Sequence, residues 1–379
     1  MNKLGLVIAV FAFALHPAPA QVPDNLVAEG VPAITPTLKA DVGRYLEFRA
    51  AAFNSWHPTR REMLITTRFA DAAQLHYVKT PDGARRQLTF TPEPVAGGSF
   101  QPKTGKLIVF SQDAGGGEFY QLYRYDPADG QVTLLTDGKS RNSGPRWSRS
   151  GREFAYTSTR RNGKDNDVYL MAPADPSSNR QLLELTGGGW SVLDWSPDDA
   201  KLLLSEYLSI NESHLYLADL RTGARELLTP KGGEKVAWSH GQFAADGKSL
   251  FVATDKDCEF QRLGRLDLAT KKLTPLTANI PWDVESFDLS PDGKTLAFVV
   301  NEDGASVLHL MNAASGRELA APKLPLGVIG GLSWHENNRD LAFTLGSAKS
   351  PNDVYSLEAR AGHRSFSAWR VAVRRSFAG

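Results

Sequence analysis

The sequence predicts an all-β fold, a seven-bladed β-propeller built from four-stranded antiparallel blades. Three observations lead to this prediction: a sequence unit that recurs seven times, a nearly constant spacing between the copies, and a composition rich in turn residues. The 379 residues include 33 glycines and 22 prolines but only 4 methionines, which favours many short strands over long helices. Hydrophobic residues make up 41% of the chain, as in globular proteins that bury a core.

The repeated unit is clearest where an apolar residue precedes a turn of the Pro-Asp-Gly-Lys type. Residues 195–205 align with residues 289–298, and residues 243–252 align with both. We call the first residue of each copy its anchor, and the seven anchors are Trp56, Phe100, Trp147, Trp195, Phe243, Leu289 and Trp334. Successive anchors are 44 to 48 residues apart, a period typical of propeller blades.

Each copy contains signals for four strands. The turn after the anchor reverses the chain, because Pro presets φ and Gly tolerates the left-handed backbone. A strand follows, as at residues 295–300, and then an alternating strand, as at residues 213–220, whose period of two places side chains on both faces of a sheet. A Thr-Gly turn leads to a last strand, as at residues 225–229. Four strands per repeat predict a propeller blade.

The large anchors are expected to pack between blades. One small four-stranded sheet cannot bury both of its faces, so neighbouring blades must stack on each other. Trp147, Trp195 and Trp334 have the size to fill the space between two such sheets. We therefore interpret these tryptophans as core residues, not as platforms for a ligand.

The first twenty residues are predicted to be an export signal. Lys3 precedes an unbroken apolar run at residues 4–15, and Ala18-Pro19-Ala20 supplies small residues where a signal peptidase cleaves. We expect cleavage after Ala20 and a mature protein that is periplasmic or secreted. The apolar run is shorter than the roughly 20 residues of a transmembrane helix, and no later run approaches that length. No membrane span is therefore expected.

The rest of the chain divides into three predicted parts. Residues 21–44 form a lead-in segment, residues 45–358 form the propeller, and residues 359–379 form a basic tail. The tail has no counterpart in the repeats, and its last nineteen residues, 361–379, contain four arginines and no carboxylate. We expect the tail to lie outside the fold and to be loosely attached.

Charge and residue usage exclude several classes of function. The chain has 43 Lys and Arg against 42 Asp and Glu, so it lacks the positive surplus that nucleic-acid binding proteins carry. Its single cysteine, Cys258, cannot form an internal disulfide or a multi-thiolate zinc site. His335-Glu336 begins like a zinc-protease motif, but Arg339 stands where the second histidine belongs. We expect no metal, no cofactor and no nucleic-acid partner.

Several segments between the anchors resemble the propeller of bacterial exported serine peptidases of the prolyl oligopeptidase (S9) family. They are residues 66–76, 83–90, 113–123 and 160–169. The resemblance extends from about residue 30 to residue 358. It implies a propeller that caps a C-terminal α/β-hydrolase domain, as in prolyl oligopeptidases and dipeptidyl peptidases, and that filters the peptides entering a buried active site.

The sequence departs from that family at its C-terminal end. A hydrolase domain needs about 200 further residues, whereas 21 residues follow Glu358. The G-x-S-x-G nucleophile motif is missing, since its nearest match, residues 187–192, lacks the second glycine. No catalytic residue is therefore transferred from the family. The sequence is interpreted as the non-catalytic propeller portion of a truncated or frameshifted S9-type peptidase, predicted to be inactive, with a peptide-gating or interaction role.

Two interpretations of the function stay open at this point. The alternative is a free-standing periplasmic propeller, similar to TolB, that acts as a protein-binding scaffold. In either case a peptide or protein ligand is possible, and four charged residues are candidates for its contacts: Arg68, Glu118, Arg160 and Arg161. These four residues follow the second strand of their blades, in loops that could meet peptide termini. The competing interpretation is that they are polar residues of the surface or of a blade edge.

Overall fold

A computed structural model describes residue 27, residues 29–360 and residues 363–369. The chain divides into an N-terminal unit, Met1–Glu47, and a larger unit, Phe48–Gly379, which we call the propeller unit. The predicted export signal lies outside the described residues. The propeller unit begins at Phe48, three residues after the boundary predicted from the sequence.

The N-terminal unit contains one described helix, which the sequence analysis did not predict. Helix α1 (Pro36–Leu46) begins after Thr35, whose Oγ1 accepts a hydrogen bond from the backbone N–H of Leu38 at 3.2 Å. A capping threonine followed by proline at the first helical position is a helix-start signal, and it could have predicted α1. No helix of the described residues is both long and apolar enough to cross a membrane.

The propeller unit consists of seven antiparallel sheets, each formed by four consecutive strands. The fold class predicted from the repeats is therefore confirmed. Blades 1 and 2 consist of β1 (Ala52–Trp56), β2 (Met63–Thr67), β3 (Gln74–Val78), β4 (Arg85–Gln87), β5 (Val95–Phe100), β6 (Ile108–Gln112), β7 (Gln121–Tyr125) and β8 (Val132–Leu134). Blades 3 and 4 consist of β9 (Arg146–Trp147), β10 (Phe154–Ser158), β11 (Asp167–Ala172), β12 (Asp175–Leu183), β13 (Trp190–Trp195), β14 (Lys201–Ser209), β15 (Glu212–Asp219) and β16 (Arg225–Leu227).

The last three blades follow the same order of strands. Blade 5 consists of β17 (Trp238–Phe243), β18 (Ser249–Thr254), β19 (Arg262–Asp267) and β20 (Leu273–Pro275). Blades 6 and 7 consist of β21 (Val284–Leu289), β22 (Thr295–Glu302), β23 (Ala305–Asn312), β24 (Glu318–Leu319), β25 (Val328–Trp334), β26 (Asp340–Ser347), β27 (Ser350–Arg360) and β28 (His363–Trp369). Every predicted anchor is the last residue of the first strand of its blade.

The core lies between the blades. Among the described residues, seven clusters of buried apolar side chains each join two neighbouring blades. Six anchors are buried, and the anchor Trp147 is half-buried. The turns after the anchors use the left-handed backbone as predicted, with φ of 57° at Asp199, 66° at Gly247 and 72° at Gly293. A Cβ atom at Gly293 would collide with Ala245 of the neighbouring blade, so this turn requires glycine.

The four tryptophan anchors repeat one contact around the ring. Each indole N–H donates a hydrogen bond to a residue of the neighbouring blade that comes earlier in the ring. The acceptor residue is the one immediately before the anchor of that blade. The bonds run from Trp147 to Ser99 Oγ (2.8 Å), from Trp195 to the carbonyl of Arg146 (2.8 Å), from Trp334 to the carbonyl of Asp288 (3.1 Å) and from Trp56 to the carbonyl of Ser333 (3.0 Å). A buried indole N–H needs such an acceptor.

The residues immediately before the anchors, which we call pre-anchor residues, also accept hydrogen bonds from the next blade. The acceptors are Ser55 Oγ for Phe100 N (3.1 Å), Asp194 Oδ2 for Phe243 N (2.9 Å), Gln242 Oε1 for Leu289 N (3.0 Å) and Asp288 Oδ2 for Trp334 N (2.8 Å). Polar side chains at these positions therefore link the innermost strands to one another.

Blades 1 and 7 meet at a seam without exchanging a strand, since each sheet is continuous in sequence. Ala51 donates a backbone hydrogen bond to the carbonyl of Asn352 at 2.8 Å. Arg61 Nε lies 2.9 Å from Asp340 Oδ1, and His335 Nε2 lies 3.0 Å from the carbonyl of Arg60. The ring is therefore closed by side-chain packing and a few hydrogen bonds.

The boundary predicted after Glu358 is corrected by the structure. Residues 359 and 360 continue β27, and β28 pairs antiparallel with β27 as the outer strand of blade 7. Trp369 is fully buried and packs edge-on against Trp56, with 5.9 Å between the ring centroids. The prediction failed because β28 lacks the repeat pattern, and pairing with β27 determines its conformation. Residues 370–379 of the predicted tail lie outside the described residues.

We expect Trp369→Ala to destabilise the propeller by about 3–5 kcal/mol, the usual cost of removing a buried tryptophan. The substitution also removes the hydrogen bond from Trp369 Nε1 to Ser356 Oγ (2.9 Å). Urea unfolding followed by circular dichroism measures the effect, and Trp282→Ala, at an indole that is 37% exposed, is the matched control. Equal stability of the two variants would show that β28 contributes little to the seam.

Candidate functional site

The direction of the strands gives the propeller two different faces. Strands alternate in direction because every sheet is antiparallel. The turns after the anchors, and the turns between the third and fourth strands, share one face, which we call the turn face. The loops between the second and third strands, and the connections between blades, share the opposite face, which we call the loop face. β1 starts and β28 ends at the loop face.

All four charged residues that the sequence analysis selected belong to loops of the loop face. They follow β2, β6 and β10, in blades 1, 2 and 3. The structure therefore places them on a common face, but in three different blades with separate contacts.

Arg161 is held by acidic neighbours of its own blade. Its Nε lies 2.7 Å from Oδ2 of Asp167, whose carboxylate is fully buried, and its NH2 lies 3.2 Å from Asp165 Oδ2. The same NH2 donates to the carbonyl of Leu185 at 2.9 Å, and NH1 lies 3.3 Å from Glu184 Oε1. The hydrogen-bonded Asp167 carboxylate raises the pKa of Arg161 above its usual value. These contacts give Arg161 a structural role in its loop.

Arg160 and Glu118 are more accessible. The Arg160 guanidinium lies over the ring of Tyr169, 4.4 Å from its centroid, which is a cation–π contact. The Glu118 side chain is 73% exposed and lies 3.7 Å from Arg141. Glu118 also has a φ of 59°, which is uncommon for a residue other than glycine. Both residues are exposed at the loop face.

Arg68 lies beside a cavity of the loop face. Its NH2 donates a hydrogen bond to the carbonyl of Phe48 at 3.2 Å. The cavity has a volume of about 650 Å³ and is walled mostly by small apolar residues, among them Ala50, Ala51, Ala72, Ala73, Pro92 and Pro94. Such a surface can accept an apolar side chain of a partner.

Exposed apolar side chains are distributed unevenly over the propeller unit. On the loop face they are Phe48, Phe69, Phe90, Phe119, Tyr207, Leu208, Ile210, Trp282, Leu326 and Val328. The other large ones of the described propeller residues, Val132, Leu134 and Leu227, belong to the outer strands of their blades. Contiguous apolar surface marks interaction sites, and this uneven distribution makes the loop face the candidate interaction surface. The turn face, where the structure describes it, carries no such side chain.

A second cavity lies on the propeller axis at the turn face. It has a volume of about 460 Å³, and residues of six different blades line it. Pre-anchor residues make up much of the wall, namely Ser99, Arg146, Asp194, Gln242 and Asp288. Only the axis of the ring is close to so many blades, so this cavity is the turn-face mouth of a central channel.

Two ion pairs join the blades around this mouth. Arg149 NH2 lies 2.6 Å from Asp194 Oδ2 and joins blade 3 to blade 4. Lys103 Nζ lies 2.8 Å from Glu336 Oε2 and connects blade 2 to blade 7, past the inner edge of blade 1. Both side chains of the second pair are substantially exposed, and exposed pairs of this kind contribute at most about 1 kcal/mol.

Two of the carboxyl groups that line this cavity, Asp194 and Asp288, have raised pKa values. Burial raises the pKa of Asp288 to about 6, and the nearby Asp194 acts in the same direction, while hydrogen bonds from Trp334 and Gln242 oppose the shift. Burial also raises the pKa of Asp194, against the opposing charge of Arg149. Desolvation disfavours a buried carboxylate, so the channel mouth changes its charge near pH 6.

These channel residues are not among the candidates predicted from the sequence. A signal was present, because the residue before the anchor is polar in all seven repeats: Ser55, Ser99, Arg146, Asp194, Gln242, Asp288 and Ser333. A polar residue next to a core position in every copy indicates a common structural environment. Within the described residues, no group of three or more His, Cys, Asp and Glu could hold a metal ion.

We expect Arg161→Gln to lower the melting temperature by several degrees, because it leaves the buried Asp167 carboxylate without its cation. Arg160→Gln, at the adjacent exposed arginine, is the matched control and should leave the melting temperature unchanged. Differential scanning calorimetry at pH 7 measures both variants. A melting temperature of Arg161→Gln equal to that of the wild type would contradict a structural role.

Comparison with known proteins agrees with this architecture. A family model described as "Prolyl oligopeptidase, N-terminal beta-propeller domain" matches residues 95–369, and the match ends at the last residue of β28. A solved structure from a study of two prolyl endopeptidases superimposes with a TM-score of 0.69 at 17% identity. It covers 87% of this chain, whereas the chain covers 51% of that protein. At this identity the structural match shows the fold alone.

A curated relative adds a similarity in sequence. The "Uncharacterized peptidase YuxL" of Bacillus subtilis (strain 168) is 28% identical over 191 residues, which are 50% of this chain and 26% of that protein. The chain therefore spans about a quarter of the relative and about half of the solved structure. These similarities do not favour a TolB-like scaffold. Since the family match covers well over half of the chain, the protein belongs to the prolyl oligopeptidase (S9) family through its N-terminal β-propeller domain.

Proposed function

We propose that this chain acts as the non-catalytic propeller of an exported S9-type serine peptidase. In this proposal the loop face receives an α/β-hydrolase domain, and the propeller restricts the peptides that reach the active site. The observation that carries the proposal is the concentration of exposed apolar side chains on the loop face. Export, with cleavage after Ala20, belongs to the proposal.

The loop face supports docking by its surface and by the position of the chain ends. Ile210 and Leu326 are each 80% exposed there, and exposing such side chains to water is unfavourable unless a partner covers them. β1 starts and β28 ends at this face, so a domain connected to either end by a short linker would lie against it. Arg160 and Glu118 would then border the space between the two domains.

The channel supports the gating part of the proposal by its size. A folded domain of 100 residues has a radius of gyration of about 13 Å, too large to enter a cavity of about 460 Å³. A short extended peptide is narrow enough to enter it. Once a hydrolase domain covers the loop face, the turn-face mouth excludes folded proteins from the channel.

We expect the purified chain to hydrolyse no peptide. Peptide hydrolysis in this family requires an activated serine, an oxyanion hole and a histidine base, and the sequence lacks the G-x-S-x-G motif. Prolyl and dipeptidyl chromogenic substrates measure turnover, and a fluorophosphonate probe labels reactive serine. Turnover well above a mock purification, with labelling of a serine in this chain, would falsify the non-catalytic role.

Docking is tested with a separately produced hydrolase domain of an S9 peptidase. We expect added propeller to suppress cleavage of a protein substrate and to leave cleavage of a tripeptide substrate unchanged. The double variant Ile210→Asp/Leu326→Asp should weaken this suppression at least about tenfold, because a buried charge opposes docking. Val132→Asp, on the outer strand of blade 2, is the control. Suppression that is equal for both variants, or that includes the tripeptide, contradicts the proposal.

A further inference from the structure

We propose that the turn-face mouth of the central channel binds the carboxylate of a short peptide, with Arg146 as its main ligand. Arg146 is the pre-anchor residue of blade 3 and lines the axial cavity.

The cavity is lined by three basic and three acidic side chains: Lys103, Arg146, Arg149, Asp194, Asp288 and Glu336. Arg149 is paired with Asp194, and Lys103 is paired with Glu336. Arg146 has no carboxylate within ion-pair distance among the described residues, although it faces the same space. It is therefore the cation of the cavity that remains available to an anion.

The contacts of Arg146 leave most of its donors unused. Its Nε donates to the carbonyl of Val192 at 3.3 Å, and within the described chain its two terminal nitrogens make no hydrogen bond. The nearby carboxylate of Asp194 is already engaged by Arg149 at 2.6 Å and by the backbone N–H of Phe243 at 2.9 Å. The terminal nitrogens of a guanidinium form a planar fork that matches a carboxylate.

Both carboxylate oxygens of Asp288 also accept hydrogen bonds from the protein. Gln242 Nε2 donates to its Oδ1 at 3.2 Å, and the backbone N–H of Trp334 donates to its Oδ2 at 2.8 Å. No ion pair joins it to Arg146 in the described residues. Asp288 therefore leaves the guanidinium of Arg146 free to bind an external carboxylate.

The shape and polarity of the cavity favour a short peptide. Its volume of about 460 Å³ is within the usual range for small-ligand sites. Leu193, Phe287 and Leu332 contribute apolar wall, and the His240 ring lies 6.2 Å from the ring of Phe287. Burial, and then the charge of Arg146, lower the pKa of His240, so this ring is neutral at pH 7. A ligand with one carboxylate and an apolar body fits this wall better than a phosphate-rich anion does.

Binding should strengthen as the pH falls toward 5.5. Protonation of Asp288, whose pKa is about 6, removes a negative charge from the cavity, whereas a peptide C-terminus stays ionised down to about pH 4. The charged and titratable groups that share the cavity with Asp288 are Lys103, Arg146, Arg149, Asp194, His240 and Glu336. Weaker repulsion from Asp288 therefore adds to the attraction by Arg146.

The site is separate from the docking surface of the proposed function. It lies at the turn face, whereas the proposed docking surface is the loop face. Peptide binding is measured on the chain alone, and docking is measured with a hydrolase domain, so either proposal can fail without the other.

The test compares three N-acetylated tetrapeptides of Leu and Ala at pH 7.5 and pH 5.5. The first has a free C-terminal carboxylate, the second has a C-terminal amide, and the third has a C-terminal amide and one Glu side chain. Tryptophan fluorescence reports binding because Trp147 and Trp195 line the cavity. We expect the first peptide to bind at least about tenfold more tightly than the second, and more tightly at pH 5.5. The third peptide shows whether an acidic side chain can replace the terminus.

Two substitutions locate the site. Arg146→Gln should weaken binding of the carboxylate peptide at least about tenfold, whereas Arg152→Gln, an exposed arginine of the same blade outside the cavity, should leave it unchanged. Arg146→Lys keeps the charge but not the fork, and we expect an intermediate affinity. Equal binding of the first two peptides by the wild type, no binding of either, or equal affinity of the Arg146→Gln and Arg152→Gln variants overturns the proposal. The peptide comparison needs no variant, so it stands even if Arg146→Gln does not fold.

Discussion

The contact between an anchor and the pre-anchor residue of the preceding blade is the interaction on which the rest of this propeller depends. Trp195, fully buried, both fills the space between blades 3 and 4 and donates its indole N–H to the carbonyl of Arg146. Packing alone would allow neighbouring blades to slide along each other, because dispersion and the hydrophobic effect have little directionality. The hydrogen bond sets the height of one blade relative to the next. Repeated at several interfaces, it aligns the innermost strands around one axis.

The same contact explains why a polar channel runs beside an apolar core. The anchor faces the neighbouring blade, and the residue before it must supply an acceptor to the next anchor, as Asp194 does for Phe243 N and Asp288 does for Trp334 N. Carboxylates placed for this purpose lie close to the axis, where burial raises the pKa of Asp288 to about 6. The charge of the channel mouth is therefore in part a consequence of how the ring is held together. Arg146 accepts through its backbone instead, which leaves its side chain available to a ligand.

The two faces of the propeller differ because their loops carry different constraints. The turn after the anchor of blade 6 lies against the neighbouring blade and requires glycine at Gly293. The loop face instead carries exposed apolar residues such as Ile210 and exposed charged residues such as Glu118. A surface of this kind is suited to a partner, whereas the tightly built turn face is suited to a selective opening.

The sequence by itself determined the fold, since the repeat spacing predicts seven blades and every anchor ends a first strand. Repetition makes this possible, because each blade meets the same local environment. Features that occur only once in the chain, and not in every repeat, depend on the tertiary structure. Strand β28 forms because it pairs with β27 and because its Trp369 packs into the seam between blades 1 and 7. The sequence of this basic segment does not reveal either contact. Arg161 has a structural role because the fold buries the carboxylate of Asp167, with which Arg161 forms an ion pair. Arg146 is a candidate ligand only in the closed ring, where residues of six blades line one cavity. Which of the charged residues pair across the axis depends on distances in the folded protein, and these cannot be read from the sequence.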